Sequence, residues 1–199
     1  MIVIGLTGNI GSGKSTVARA WRDKRGALLI DADEIGRLVV FPGSETLGEL
    51  VKHFGEEILQ LDGSLDRQRT ARLAFSSPEN LQELNSIVHP AIIRTINNEL
   101  RRALAEGVSA VVIDAALIFE FGFDRSVDAM IVVDAPRKAK IERMLARGKM
   151  DRKTIEQVLD FQMDPEELRK RATWVIENDG GLEELERKAL EVFDRLVKR

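Results

Sequence analysis

The 199-residue chain contains no cysteine, which excludes disulfides, thiolate catalysis and Cys-ligated zinc together. Histidine is nearly as scarce. His53 and His89 are the two present, too few for a multi-histidine metal centre. No apolar run approaches the roughly 20 residues needed to span a bilayer, and the N-terminus lacks a basic leader with a small-residue cleavage site. Excess charge of one sign is also missing: 30 basic against 33 acidic residues leave a net charge of −3, unlike a basic nucleic-acid coat. Neither an internal repeat nor a low-complexity segment interrupts the chain. These absences lead to the expectation of a cytoplasmic protein with no nucleic-acid or membrane partner and no evident obligatory protein partner. What is present is the balance of a soluble domain, 44% hydrophobic and 32% charged, long enough to bury a real core as one unit.

Short β-branched runs alternate with longer stretches of helical period, the pattern of an α/β fold with a parallel sheet. The predicted strands are Ile2–Thr7, Ala27–Ile30, Ala110–Ile113, Ala129–Val133 and Trp174–Glu177. All but the last are Val, Ile and Leu runs without polar alternation, as expected for strands covered on both faces. Residues 34–107 separate the second strand from the third. Within them Leu81, Leu84, Val88, Ile92, Ile96, Leu100 and Leu104 predict one buried helical face, which Pro90 should break or kink. The densely charged residues 143–170 separate the fourth strand from the fifth. Insertions of this size suit substrate-binding or lid segments, and surface decoration is the alternative.

Gly8-Asn9-Ile10-Gly11-Ser12-Gly13-Lys14-Ser15 matches the pattern G-x-x-x-x-G-K-[ST] in full and leads into Thr16. It follows an apolar strand and precedes a helix predicted from Ser15 to about Lys24, the context the motif requires. Glycines let successive backbone N–H groups curl toward an anion, and the helix N-terminus adds partial positive charge. Lys14 can reach the outer phosphates and the Ser15 hydroxyl can ligate Mg²⁺. The loop therefore predicts a nucleoside triphosphate and a metal ion, without fixing the reaction.

Asp114 ends the apolar run Ala110-Val-Val-Ile113. In phosphate-loop proteins such a carboxylate holds Mg²⁺, directly or through water, and a helix-cap or turn role stands beside that reading. Asp31-Ala-Asp33 closes another strand, at the sheet edge where ligands bind. Asp31, with Glu34 three residues on, has the spacing of a helix N-cap. Asp33 has no such structural role and is the predicted base toward an attacking hydroxyl. Arg143 and Arg147, four apart, share a helix face suited to a transferring phosphoryl group. Most other basic groups, including Arg69, Arg72, Arg94, Lys149, Arg152 and Lys153, read as solvated helix faces.

Several motifs together resemble the dephospho-coenzyme A kinase family. They are Ile4-Gly-Leu-Thr-Gly-Asn-Ile-Gly-Ser-Gly-Lys-Ser-Thr16, Ile30-Asp-Ala-Asp-Glu-Ile35, Pro42-Gly43, Phe54-Gly55, Asp62-Gly-Ser-Leu-Asp-Arg67 and His89-Pro90. Leu117-Ile-Phe-Glu120, Arg143 with Arg147, Gln162 and Ile176-Glu-Asn178 complete the set, in order from about residue 2 to 180. The resemblance implies a P-loop kinase three-layer sandwich, with a five-stranded parallel sheet in order 2-3-1-4-5. Residues 1–33, 108–142 and 171–199 would form the nucleotide-binding core, 34–107 a helical coenzyme-binding insertion and 143–170 a lid. It implies transfer of the ATP γ-phosphoryl group, with Mg²⁺, to the ribose 3′-hydroxyl of dephospho-CoA.

In that family Asp33 matches the proposed base, Lys14 and Ser15 the phosphate and metal contacts, and Arg143 and Arg147 the lid arginines that meet ATP. Asn178 would lie near the adenine. Thr7, Arg67, His89 and Glu120 fall, with Asp33, on the acceptor side. The chain departs from the family at Ala115-Ala116, where a proline is usual, and at Ala172-Thr173, where Ala-Asp is usual. Another small-molecule kinase, such as a nucleoside monophosphate kinase, is the nearest alternative. A GTP-binding switch, with Asp33-Glu-Ile-Gly36 and Gly148-Lys-Met-Asp151 as weak guanine-type motifs, and a catalytically silent nucleotide binder are the others.

Overall fold

The computed structural model describes residues 1–120, 122–148 and 150–198, so Lys149 of the charged interval lies outside the described residues. The chain runs β1 (Ile2–Thr7), α1 (Lys14–Arg25), β2 (Leu28–Asp31), α2 (Ala32–Leu38), α3 (Glu45–Phe54), α4 (Arg67–Ala74) and α5 (Pro78–Ala105). It continues with β3 (Ala110–Asp114), β4 (Ala129–Asp134), α6 (Arg137–Ala146), α7 (Arg152–Phe161), α8 (Pro165–Arg171), β5 (Trp174–Glu177) and α9 (Leu182–Val197). The strands form one parallel sheet in the order β2-β3-β1-β4-β5. In its register Ile4 of β1 faces Val112 of β3 and Ala129 of β4, and Val132 of β4 faces Val175 of β5. Among the described residues no helix is long and apolar enough to cross a membrane.

The chain divides into two compact units, Met1–Ile30 with Arg102–Arg199, and Asp31–Arg101. In the first unit every residue of β3 and β4 is buried, which is why these strands read as unbroken apolar runs. Each extends one residue past its predicted end, to Asp114 and Asp134. α1 and α9 cover one face. Trp21 of α1 is fully buried, tilts against Phe193 at 5.6 Å between ring centroids, and donates its Nε1–H to the Ala189 carbonyl at 2.7 Å. Burying a side chain of this size contributes roughly 2–3 kcal/mol, and the indole N–H is satisfied. Gly26, at φ 68°, stops α1: its N–H donates to the Arg22 carbonyl and the Ala27 N–H to the Trp21 carbonyl, the left-handed cap that glycine adopts without a Cβ clash.

In the second unit Val40, Leu50, Phe54 and Ile58 form a core with Leu84, Ile87 and Val88 from the first half of α5. α5 spans 28 residues and carries Pro90 inside it. The expected break does not occur. A proline removes one hydrogen bond, while apolar burial on both sides of it, through Val88 and the buried Ile92 and Ile96, favours continuing the helix. The predicted stripe also ends differently, since Leu104 is 62% exposed and Ala103 takes the buried position. A step of four residues over-rotates by about 40° on a 3.6-residue helix. Two such steps from Ile96 carry Leu104 off the face, whereas Ala103, seven residues on, nearly realigns.

Candidate active site

β1 delivers the chain at its C-terminal end into the loop 8–13, and α1 begins at Lys14. Gly8, Gly11 and Gly13 all have positive φ, 152°, 73° and 105°. A Cβ on Gly11 would strike the backbone of Lys140, and one on Gly13 the Asn178 side chain. Both conformation and space therefore demand glycine here. Within the loop Ser12 N–H bonds the Asn9 carbonyl at 3.1 Å, and Thr16 N–H and Val17 N–H both bond the Gly13 carbonyl. The N–H groups of Gly11, Gly13, Lys14 and Ser15 make no hydrogen bond among the described residues. The Ser12 hydroxyl is buried with no partner among the described residues. Unsatisfied donors gathered at a helix N-terminus form an anion site, and the fit to a polyphosphate follows from this donor set.

Lys14 pairs with Asp114, both largely buried. The predicted metal-side carboxylate and the predicted phosphate-side ammonium thus meet at the mouth of the loop. The Ser15 side chain is exposed beside them. Thr7 is fully buried and its hydroxyl faces the Ala116 carbonyl at 3.4 Å. At the Ala115-Ala116 departure, Ala115 N–H bonds the Leu6 carbonyl at 3.1 Å, so sheet pairing carries on into the turn 116–120 without a proline. At the other departure the Thr173 hydroxyl accepts the Met130 N–H at 3.0 Å. Glu120 closes the turn. Desolvation pushes its carboxyl above the usual range, opposed by a backbone hydrogen bond and by Arg171, whose guanidinium lies 5.0 Å over the Phe119 ring.

On the other side of the loop, a cavity of about 330 Å³ is lined by Gly11, Gly13, Thr16, Arg143, Arg147 and Asn178, among others. The structure therefore brings Asn178, which follows β5, beside Arg143 and Arg147 at the end of α6. Arg143, on α6, donates to the Gly11 carbonyl at 3.3 Å and to the Asn178 carbonyl and Oδ1 at 3.1 and 3.0 Å. Asn178 in turn donates its Nδ2–H to the Ser12 carbonyl at 2.6 Å. Arg147 caps α6 and is exposed.

Beneath the loop is a charge cluster that sequence reasoning missed. Asp134 binds Lys140 and Arg169, each at 2.6 Å, and Arg169 grips Glu177 with both terminal nitrogens. Burial alone would raise Asp134, but the hydrogen bond and charge of Lys140, the Ala135 N–H and Arg169 outweigh it and hold the carboxyl low. Glu177 and then Asp134 raise Arg169, against desolvation. The available signal was Asp134 itself, an acid closing an apolar strand as Asp114 does. Lys140 gave none, being one more cation in a charged helix.

In the second unit Asp31 caps α2, its carboxylate accepting the Glu34 N–H at 2.9 Å, as its spacing predicts. Asp33 follows in the first turn of α2, half-buried and without a hydrogen-bond or ion-pair partner among the described residues. A groove of about 1400 Å³ in this unit has Arg37, Arg67, Phe41, Leu59 and Leu61 on its walls. Arg67 donates to the Arg37 carbonyl at 3.2 Å, and burial followed by the charge of Arg37 lowers its pKa. Neither arginine has an acidic partner among the described residues, whereas neighbouring Arg69 is held by the Glu57 carbonyl and Asp66. Sequence reasoning did not single out Arg37. His89, on α5, is not on these walls, and burial lowers its pKa.

A family model for dephospho-CoA kinase (CoaE) matches residues 2–184. The dephospho-CoA kinase of Corynebacterium diphtheriae is 44% identical over 197 residues, covering 99% of this chain and 98% of that one. The crystal structure of TT1252 from Thermus thermophilus superposes with a TM-score of 0.83 at 39% identity, covering 98% and 97% of the two chains. Dephospho-CoA kinase from Campylobacter jejuni, at 24% identity and a TM-score of 0.72 over 98% and 97%, shares the fold.

Proposed function

The chain belongs to the dephospho-CoA kinase family, and from that premise we infer that it carries out the ATP-dependent phosphorylation of dephospho-CoA, the last step of coenzyme A biosynthesis. The observation that carries this reading is the coincidence of a nearly full-length family match with a loop in which the N–H groups of Gly11, Gly13, Lys14 and Ser15 and the Ser12 hydroxyl have no partner among the described residues.

The proposed division of labour is supported by the geometry of the loop and by the family resemblance. The N–H groups of Gly11, Gly13, Lys14 and Ser15 take the phosphates, with Gly8, Asn9, Ile10, Ser12 and Thr16 completing the loop around them. Lys14 leaves Asp114 for the γ-phosphate as the nucleotide enters. Arg143, Arg147 and Asn178 border the cavity that receives the adenosine end. Ser15 and Asp114 are the oxygen donors that suit Mg²⁺, a hard cation that keeps several waters. When bound, Mg²⁺ supplies charge neutralisation between the outer phosphates.

On the acceptor side Asp33 takes the proton of the ribose 3′-hydroxyl. Its carboxylate is free for that task because Asp31 serves as the cap. Arg67, with Arg37, offers two uncompensated guanidinium groups to the acceptor's diphosphate. Thr7, Glu120 and His89 are assigned to the acceptor pocket by resemblance. Residues 143–170 would act as the lid that excludes water.

ADP release with Mg²⁺, compared across dephospho-CoA, AMP, CMP, dTMP and no acceptor, tests this reading. Stimulation by dephospho-CoA alone, with coenzyme A identified by product mass, is expected. Phosphorylation of a nucleoside monophosphate instead would overturn the acceptor assignment.

A further inference from the structure

The phosphate loop is gripped from outside its own motif. Ile10 N–H donates to Gln162 Oε1 at 2.9 Å, and Asn9 Nδ2 donates to the Met163 carbonyl at 3.2 Å. Both partners lie in the short connection between α7 and α8, which is itself fixed at each end. Gln162 N–H closes α7 on the Val158 carbonyl, and the Asp164 carboxylate caps α8 through the Glu166 N–H. The Ile10 side chain packs on the cluster of Ile141, Met144, Ile155 and Leu159 that joins α6 to α7.

The Asn9–Ile10 peptide is the point of leverage. Its N–H is held by Gln162 and its carbonyl accepts the Ser12 N–H at 3.1 Å. A peptide group is planar, so fixing the N–H edge fixes the direction of the carbonyl, and with it the turn from Asn9 to Ser12. The N–H groups of Gly11, Gly13, Lys14 and Ser15, without partners among the described residues, lie in and directly after that turn. An amide oxygen suits this place because it accepts a hydrogen bond without adding negative charge beside a polyanion site. We propose that Gln162 is a positioning residue for nucleotide binding, its side-chain oxygen fixing the Asn9–Ile10 peptide and so the donor array that receives the triphosphate. This rests on the reading that the loop takes the phosphates of ATP.

The experiment uses Gln162→Met, which keeps length and removes the strong acceptor, and Gln162→Asn, which keeps the amide and withdraws its reach. Each is assayed for KM of ATP and of dephospho-CoA, and for the inhibition constants of tripolyphosphate and adenosine against ATP. Tripolyphosphate reports on the loop alone and adenosine on the base cavity alone. Losing a partly buried hydrogen bond should raise KM for ATP and the tripolyphosphate constant by about tenfold in parallel. The adenosine constant and KM for dephospho-CoA should stay within about twofold of wild type. A rise in both inhibition constants marks a general structural role and overturns the proposal, as does no change in either or a change in adenosine alone. Gln162→Asn carries the same test if Gln162→Met does not fold. Failure of tripolyphosphate to inhibit the wild-type enzyme would instead overturn the underlying phosphate assignment.

Discussion

Asp134→Asn tests how far the charge cluster beneath the phosphate loop supports the fold. The Lys140 side chain is 3% exposed and that of Asp134 10%, with 2.6 Å between their charged atoms. Removing one partner of such a pair costs about 3–5 kcal/mol, mostly for the charge left behind. Asparagine keeps an acceptor oxygen for Lys140, and Arg169 keeps Glu177, so the low end applies, about 3 kcal/mol. For a protein of this length that corresponds to a fall in Tm of about 6–12 °C. Urea unfolding and calorimetry at pH 7 would measure it, and a loss below about 1 kcal/mol would refute the reasoning.

The same variant tests the pH dependence. The folded carboxyl of Asp134 is held below its ordinary value, so the unfolded chain takes up the proton first as pH falls. The contribution of this group is therefore fully present above the unfolded pKa of about 3.9 and disappears as pH drops through the depressed folded value. The wild-type advantage over Asp134→Asn should shrink below about pH 4. An advantage that grows on acidification would contradict the assignment. The double variant Asp134→Leu with Lys140→Met should recover most of the loss, because an apolar pair leaves no buried charge uncompensated.

Asp33→Asn should lower kcat more than tenfold, on the order of the contribution of a general base, while ATP affinity measured by calorimetric titration stays close to wild type; near-normal turnover would remove Asp33 from the base role. Gly11→Ala places a Cβ against the Lys140 backbone at φ 73°, so ATP affinity should fall at least about tenfold with little change in the far-ultraviolet spectrum. Unchanged affinity would show that the loop adjusts. Arg67→Ala should raise KM for dephospho-CoA about tenfold and leave KM for ATP unaltered, since charge-assisted hydrogen bonds to an anion contribute on that scale. An equal rise in both would place Arg67 in the support of the fold rather than in acceptor binding.

What could be read from the sequence divides according to how far away the deciding partner lies. The central strands β1, β3 and β4 were the most legible because central parallel strands are covered on both faces, and Val111, Val112 and Ile131 needed no partner identity to show it. Asp31 could be separated from Asp33 because a cap is a contact across three residues, with Glu34 in view. Pro90 does not break α5 because the local rule was set against burial that depends on the cluster around Leu50 and Ile58. Leu104 misled because a spacing of four drifts on a long helix.

Arg143 shows the limit most clearly. Its spacing from Arg147 suggested a face turned to the phosphates, and the structure does place both beside the loop. Yet the Arg143 guanidinium also holds the Gly11 carbonyl and Asn178, which holds Ser12. Asn178 follows β5, Arg143 lies on α6, and Gln162 grips the loop from the connection after α7. The eight-residue motif therefore specifies which peptide groups can bind phosphate. Residues 130 or more positions later hold those groups in one arrangement, and no local pattern announces them. A grafted motif lacking these distant contacts would keep its glycines and lose its preorganised donors, which is why the complete set of segments identified the chemistry better than the loop alone.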